Sequence, residues 1–489
     1  MSTNPIDISP GSEMRTQLFI GGEWCDASDG GTFPVEDPST ETTIADVASA
    51  TVEDVTRAVE IAHEAGREWA RRRVPRDRAE VLRKAWKLLS ENRRTIAEYI
   101  VRENGKALPD AFGETDYATE FFRWYSEEAV RNYGEILTSP SGGNRIVVMH
   151  QPIGVSVLVT PWNYPSAMAT RKIAPAIAAG CPVILKPASD TPLTALLVAE
   201  ILTEAGVPPG VMNVVPSRRS GEVVDAMLHH PLVRKLSFTG STQVGRALLR
   251  AASDCIVDCS MELGGNAPFL VFDDADIDAA VEGAMIAKMR NGGEACTAAN
   301  RFYAHQAIYD EFTDKFAAAM KAVKVGPGLS PGVELGPMVN AWAIKDIHRL
   351  VDDATSRGSE VLTGGAPLDR VGHYYPPTVL GQVPQSAEIL REEVFGPVAP
   401  VVPFSDDDEV IHAANDTEYG LVSYLYTGNL KRGMAVSERL EAGMIGLNRG
   451  LVSDPAAPFG GSKQSGLGRE GSHEGMMEYM ETKYIAVEW

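Results

Sequence analysis

The chain has 489 residues, 44% of them hydrophobic and 23% charged, with 45 glycines. That length predicts about three domains or lobes, and that composition an ordinary soluble α/β protein rather than a disordered or fibrous one. A net charge of −21, from 66 acidic against 45 basic side chains, repels phosphate on average and argues against nucleic acid or an anionic membrane as a general partner. A small anionic substrate stays compatible with it, provided basic residues gather in one pocket. No apolar run reaches the roughly 18 residues of a membrane span. The start, Met1-Ser-Thr-Asn-Pro-Ile-Asp7, has neither the basic nor the apolar region of a secretory signal. Five cysteines, with no C-x-x-C and no Cys/His metal spacing, predict reduced thiols in a cytosolic setting and no metal site.

Residues 1 to about 16 are polar and expected to be loosely held. Ile20 to Phe33 carries glycines and aromatics and predicts a short hairpin. From Val52 to about Tyr133 the pattern is helical: Val81, Ala85, Leu88 and Leu89, then Ile96, Ile100 and Val101, recur at helical spacing. Arg145 to His150 is a β-like run that leaves this lobe. The period then changes. Val155–Thr160, Pro182–Lys186, Met212–Val215 and Lys235–Phe238 are short apolar runs, with helical segments between the first three. The helix after Lys186 is expected to be capped by Asp190 or Thr191, with Pro192 in its first turn and Gly206 at its end. Buried strands alternating with helices predict βαβ units and a parallel sheet.

Phe238-Thr-Gly-Ser-Thr-Gln-Val-Gly245 reads as strand, tight turn and helix start, a place where a phosphate can sit on backbone N–H groups. It is not the usual G-x-G-x-x-G pattern, and a plain glycine turn accounts for it equally well. Next comes Glu262 to Cys296, a carboxylate and a thiol each beside glycines, joined by a strand-like run (Ala267–Phe272) and a helix-like run (Asp274–Met289). A nucleophilic cysteine needs a turn free of bulk, so that a substrate carbon can approach and an N–H can face the developing oxyanion. Gly292 and Gly293 permit one. A nearby carboxylate can act as general base on the thiol or on water. Taken alone, Cys296 reads as one more small buried hydrophobe. Strand and helix alternate again through Arg301–His305 and Asp310–Lys324, followed by Pro- and Gly-rich loops near 326–337 and 364–377. The last ten residues alternate (Tyr484, Ile485, Val487, Trp489), as expected of a strand.

Six stretches carry a resemblance in their order: Thr160-Pro-Trp-Asn-Tyr-Pro165, Lys186-Pro-Ala-Ser189, Phe238-Thr-Gly-Ser241, Glu262-Leu-Gly-Gly265, Cys296, and Glu393-Val-Phe-Gly-Pro397. Together they resemble the aldehyde dehydrogenase superfamily from about residue 17 to the end. Within it, Gly265-Asn-Ala-Pro-Phe-Leu-Val-Phe-Asp-Asp-Ala-Asp276, Asn415-Asp-Thr-Glu-Tyr-Gly420 and Ala457–Arg469 look most like the bacterial succinate-semialdehyde dehydrogenase branch. The resemblance implies an α/β fold of aldehyde dehydrogenase type. A Rossmann-type NAD(P)-binding domain would span 1–132 and 152–261, and an α/β catalytic domain 262–472. A small β oligomerisation element would span 133–151 and 473–489, giving a homodimer or homotetramer, since edge strands exchanged between subunits hide their open hydrogen-bonding groups.

It also implies roles. Cys296 would attack the aldehyde carbon, the Asn163 amide and the Cys296 N–H would hold the oxyanion, and Glu262 would activate water against the thioester. Relatives that pass the acyl group to coenzyme A lack this base, so Glu262 favours water as acceptor. Thr160, Pro161, Trp162, Lys186, Ser189, Gly240, Ser241, Glu393 and Phe395 would bind the cofactor. Lys186 would reach its ribose hydroxyls, Glu393 and Phe395 the nicotinamide side, and Trp162 the adenosine side or the pocket wall. Trp162 and Phe395 serve equally as core aromatics. Ser189 stands where NAD-preferring relatives often have a glutamate, which favours NADP without excluding NAD. Arg171, Arg290 and Ser453 would hold the carboxylate tail of a small anionic aldehyde, succinate semialdehyde first, with glutarate semialdehyde or a sulfonated aldehyde such as sulfolactaldehyde as alternatives. The competing reading is that either arginine pairs with a structural acid, or that the fold serves as a non-catalytic binding protein. Two departures stand out. Cys296-Thr-Ala298 replaces a common Cys-x-Cys, removing a local disulfide switch, and Arg449 adds a charge near Ser453, facing either solvent or a more strongly charged tail.

Overall fold

The computed structural model describes residues 14–488. The loosely held start therefore falls, up to residue 13, outside the described residues, as does Trp489. Leu18–Ile20 (β1) and Glu23–Cys25 (β2) form a hairpin that ends well short of the one expected over Ile20–Phe33, since 26–31 forms no strand, and Thr32–Asp37 (β3) with Thr42–Ala48 (β4) form a second. The helical lobe is Val52–Arg72 (α1), Pro75–Glu91 (α2), Arg93–Asn104 (α3) and Leu108–Glu128 (α4). A capping box opens α1: Thr51 Oγ1 accepts from Asp54 N, and the Asp54 carboxylate accepts from Thr51 N. Ala85, Leu89, Ile96, Ile100 and Val101 are buried, as their spacing predicts. Glu135–Thr138 (β5) and Arg145–Pro152 (β6) leave the lobe.

Strand and helix then alternate: Val155–Val159 (β7), Pro165–Ala179 (α5), Val183–Lys186 (β8), Leu193–Ala205 (α6), Met212–Val214 (β9), Ser220–Leu228 (α7), Val233–Thr239 (β10), Thr242–Cys255 (α8) and Asp258–Glu262 (β11). Two sequence expectations change here. Helix α7 lies beyond the segments read as helical; its nine residues bury only Val223, Val224, Met227 and Leu228, too short a run for periodicity to stand out. Neither Asp190 nor Thr191 caps α6, because the helix begins one residue later, after Pro192. Its first free N–H groups, on Leu193 and Thr194, donate instead to the buried Glu103 carboxylate of α3, at 2.6 and 2.9 Å. Gly206 ends α6 in the left-handed conformation, as expected.

The remainder comprises Ala267–Val271 (β12), Ile277–Met289 (α9), Ala299–His305 (β13), Tyr309–Ala322 (α10), Ala341–Ser356 (α11), Glu360–Thr363 (β14), Thr378–Gly381 (β15), Val398–Phe404 (β16) and Asp407–Asn415 (α12). Tyr419–Gly420 (β17), Val422–Tyr426 (β18), Leu430–Arg439 (α13), Met444–Leu447 (β19), Ser462–Lys463 (β20), Gly466–Leu467 (β21), Glu474–Met477 (α14) and Met480–Val487 (β22) complete it.

One sheet has the order β2-β1-β9-β8-β7-β10-β11-β21, and β9 through β11 are parallel within it. Along β7 and β8 the side chains alternate between two cores. Val155, Val157, Val159 and Ile184 pack with α1 and α7, while Leu158, Val183 and Leu185 pack with α2, α5 and α6. Both faces are buried, which is why these runs read as continuously apolar. A second sheet, β14-β15-β16-β13-β12-β18-β19, is parallel except at β14. The third, β22-β6-β5, joins the last strand to the strands that leave the helical lobe. No helix among the described residues is long and apolar enough to cross a membrane.

Candidate active site

In the first sheet the parallel strands end in register. Lys186 pairs with Val159, Val159 with Phe238, and Thr239 with Glu262. The segments that follow these ends are Thr160–Asn163, Gly240–Ser241 and Glu262–Gly265, with Lys186 itself closing β8. Carboxyl ends of parallel strands are where such sheets hold ligands. An open cleft of about 250 Å³ at this edge brings together Pro161, Trp162, Asn163, Gly240, Ser241, Cys296, Glu393 and Phe395. Thr160, Lys186, Ser189, Glu262, Arg171, Arg290 and Ser453 lie outside its lining.

Cys296 reaches the cleft from the second half of the chain. After α9 the backbone turns through Arg290–Gly293, with Asn291, Gly292 and Gly293 at φ +56°, +61° and +80°. A side chain at Gly293 would collide with the Gly396 carbonyl, so only glycine fits that turn. A Cβ at Gly265 would stand 2.7 Å from the Cys296 carbonyl oxygen, which shows how closely the two glycine-flanked motifs pack. Burial pushes the Cys296 thiol up to about 12. Arg171 pulls it down, Glu393 and Glu262 push it further up, and Arg290 pulls it down. The Asn163 side chain donates from Nδ2 to Glu294 O at 3.0 Å, and its Oδ1 is buried without a hydrogen-bond partner.

Glu262 is 2% exposed, and neither carboxyl oxygen has a hydrogen-bond partner among the described residues. Burial holds this carboxyl well above the ordinary range. Glu470 adds to that, against Arg171, Lys172 and Arg469. Gly460 stands against it, since a Cβ there would be 2.9 Å from Glu262 Oε1.

Along the cleft wall, Glu393 accepts from Gly265 N at 3.1 Å, and burial pushes it up to about 7. Trp162 meets Phe395 edge to face, centroids 5.4 Å apart, so both rings line the cleft and pack on each other. Lys186 is 4% exposed, and its ammonium forms no ion pair or hydrogen bond among the described residues. Burial lowers it to about 8 against Asp190, with the Arg218 charge lowering it further. Arg218 follows Ser217, whose carbonyl meets Ser189, so the fold brings it to this side of the site, which no local pattern announced. Ser189 is already engaged, its hydroxyl donating to Ser217 O at 3.2 Å. Ser241 caps α8 by accepting from Val244 N at 3.4 Å.

The two arginines differ. Arg171 is buried and ion-pairs with Glu470, which Lys172 also holds, so the structural-acid reading applies to it; its Nη2 is still buried without a hydrogen-bond partner. Arg290 has no ion pair among the described residues. Its Nη2 donates to Ser453 Oγ at 3.4 Å, with Thr297 Oγ1 at 3.5 Å. Tyr164 lies below it at 5.6 Å, and the hydroxyls of Tyr117 and Tyr164 are buried without a hydrogen-bond partner. Both guanidiniums lower the Tyr117 hydroxyl against the burial that raises it. Arg449 is exposed, its Nε donating to Leu451 O at 2.6 Å, so of the two readings for Arg449 the solvent-facing one fits. Among the described residues no group of three or more His, Cys, Asp or Glu could hold a metal ion, and all five cysteines are free thiols.

A sequence profile described as "Aldehyde dehydrogenase family" matches residues 24–485. The chain is 53% identical to a succinate-semialdehyde dehydrogenase of Paenarthrobacter nicotinovorans over 91% of its own length and 98% of that protein's. It is 47% identical to a glutarate-semialdehyde dehydrogenase of Pseudomonas aeruginosa, covering 97% and 98%. Its structure superposes on that of an NADP-dependent enzyme of Escherichia coli with a TM-score of 0.96 at 44% identity, covering 97% and 98%.

Proposed function

The chain belongs to the aldehyde dehydrogenase family, and we propose that it oxidises succinate semialdehyde to succinate with NADP as the preferred cofactor. One observation carries the substrate. Arg290 stands beside Ser453 with no carboxylate paired to it, next to two buried tyrosine hydroxyls that lack partners. A guanidinium drawn even partly out of water without an anion is costly, and a carboxylate tail supplies both the charge and the acceptors. The relatives named for succinate and glutarate semialdehyde support the same class.

In this reading Cys296 forms the thiohemiacetal, and the second Nδ2 hydrogen of Asn163, together with the Cys296 N–H, stabilises its oxyanion. Glu262 then takes a proton from the water that cleaves the thioester. The residues fit a dinucleotide. Lys186 is a buried ammonium without an anionic partner, Glu393 stands at the cleft wall, and Gly240–Ser241 opens α8. Bound there, NADP supplies the hydride acceptor. Glu393 orients its nicotinamide ribose, Lys186 its ribose hydroxyls, and Thr160 and Pro161 shape the strand end beneath it. Lys186 and Arg218 together favour the 2′-phosphate, with Ser189 adding no negative charge. The 1–132/152–261 and 262–472 divisions would be the cofactor and catalytic domains. The β22-β6-β5 sheet would join subunits, in keeping with exposed Ile136, Leu137, Met149, Tyr484 and Ile485. Five free thiols suit a cytosolic enzyme.

Arg290→Ala should lower kcat/KM for succinate semialdehyde by about 10²-fold, the loss expected for hydrogen bonds to a charged group, while butanal turnover changes little. A panel of succinate-, glutarate- and sulfonate-tailed aldehydes against butanal checks it. If butanal matches the acid-tailed substrates on wild type, the arginines are structural and the substrate reading fails. Ser189→Glu should shift the NADP/NAD preference toward NAD on the order of 10²-fold, because a carboxylate beside a phosphate costs several kcal/mol. An unchanged ratio in steady-state kinetics would remove the repulsion argument.

A further inference from the structure

We propose that Asp110 and Glu114, one turn apart on α4, are positioning residues that fix the spacing between the nucleophile loop and the loop bearing the oxyanion donor. The inference rests on the catalytic roles proposed above for Cys296 and Asn163. Glu114 holds one loop. Its carboxylate is fully buried; Oε2 accepts from Lys106 Nζ at 2.6 Å, and Oε1 accepts from Ser166 N and Ala167 N at 2.8 and 3.2 Å. These N–H groups start α5, which has no side-chain cap of its own. Lys106 completes the hold, donating to Asn163 O at 2.7 Å and lying 4.2 Å over the Tyr164 ring.

Asp110 holds the other loop. Its Oδ2 accepts from Asn291 N at 3.0 Å, where the backbone is left-handed. Asn291 then bridges the two loops, donating from Nδ2 to Asn163 O at 2.9 Å and to Glu294 O at 2.8 Å. Glu294 O also accepts from the Asn163 amide, so the proposed oxyanion donor is tied to the chain two residues before the nucleophile.

Residues four apart share one helical face, about 6 Å apart along the axis. A helix holds that separation where two irregular loops alone, one of them turning through Gly292 and Gly293, would let it drift. A buried ion pair such as Lys106–Glu114 adds little net stability, so its use here is geometric. The carboxylate also suits the positive end of α5.

The test uses full-length enzyme carrying Asp110→Asn, Glu114→Gln or both. Four quantities are read: the single-turnover rate of NADPH formation, aldehyde KM, dinucleotide affinity, and the rate of Cys296 alkylation by iodoacetamide. Misplacing reacting groups by about 1 Å costs on the order of 10²-fold, so each single variant should slow single turnover by 10- to 100-fold. KM and dinucleotide affinity should stay within about twofold. The double variant should lose less than the product of the singles, since both disturb one distance. Unchanged single-turnover rates alongside a lowered melting temperature would overturn the proposal and leave a structural role only, and so would losses that multiply. Should Glu114→Gln fail to fold, Asp110→Asn, isosteric and half-buried, carries the same comparison. If wild type oxidises no aldehyde, the functional reading fails. The alkylation rate then decides the positioning role, a change of fivefold or more supporting it and an unchanged rate overturning it.

Discussion

Glu262→Gln enzyme mixed with succinate semialdehyde and NADP should release about one NADPH per active site and then stall, a burst of the kind that marks an accumulating acyl-enzyme. Glutamine keeps the shape of the side chain and loses only the ability to take a proton. Thiohemiacetal formation and oxidation do not need that base in the proposed scheme; thioester hydrolysis does. Steady-state turnover should fall by on the order of 10² to 10⁴, the range of general-base catalysis, and the burst amplitude should persist. The pH dependence follows from burial. Because the Glu262 carboxyl is held well above the usual carboxylate range, its basic form grows as pH rises, so wild-type deacylation should accelerate toward higher pH. Glutamine should remove that dependence. Rapid-mixing kinetics on nucleotide absorbance reads both. A variant that loses the burst as well would place Glu262 before oxidation, as the base that ionises Cys296.

Cys296→Ala should abolish aldehyde oxidation, by on the order of 10⁴-fold or more as for other deleted nucleophiles, and leave dinucleotide binding in place. Cofactor-free ester hydrolysis should vanish with it, since both would use the same thiol. Burial raises the thiol to about 12, so its alkylation should keep accelerating with pH and show no plateau up to about pH 10, the rate tracking the thiolate. Alkylation counts and kinetics on wild type and Cys296→Ala separate Cys296 from the half-buried Cys25 and Cys259 and the exposed Cys255. Retained turnover in the alanine variant would restore the plain reading of Cys296 as a small core side chain.

What was legible in the sequence is what is written locally. Apolar runs with both faces buried gave β7 to β10, the glycines around Cys296 gave the left-handed turn, and the alternating tail gave β22. The cleft gathers motifs from Pro161 to Phe395 because each follows a strand or turn whose signature spans a few residues. Contacts across long sequence distances were not legible. Glu103 caps α6 from about 90 residues away, Arg171 meets Glu470 across nearly 300, and Lys106 reaches Asn163 only because α3 and α4 fold over α5. No spacing rule marks such partners. Arg171 shows the cost: its position invited a ligand role, and its acid sits in a segment that only the fold brings near.

The placement of β21 has a consequence for synthesis. Residues 466–467 pair with Met261 and Glu262, Leu263 N donates to Ser465 O at 2.9 Å, and Ser465 Oγ donates to Gly264 O at 2.8 Å. The wall around Glu262 is thus built from chain made about 200 residues later. A growing polypeptide therefore carries both Cys296 and Glu262 long before the strand that closes the wall around Glu262 has been made. A copy that stops short of Ser465 lacks the chain that closes the wall around Glu262.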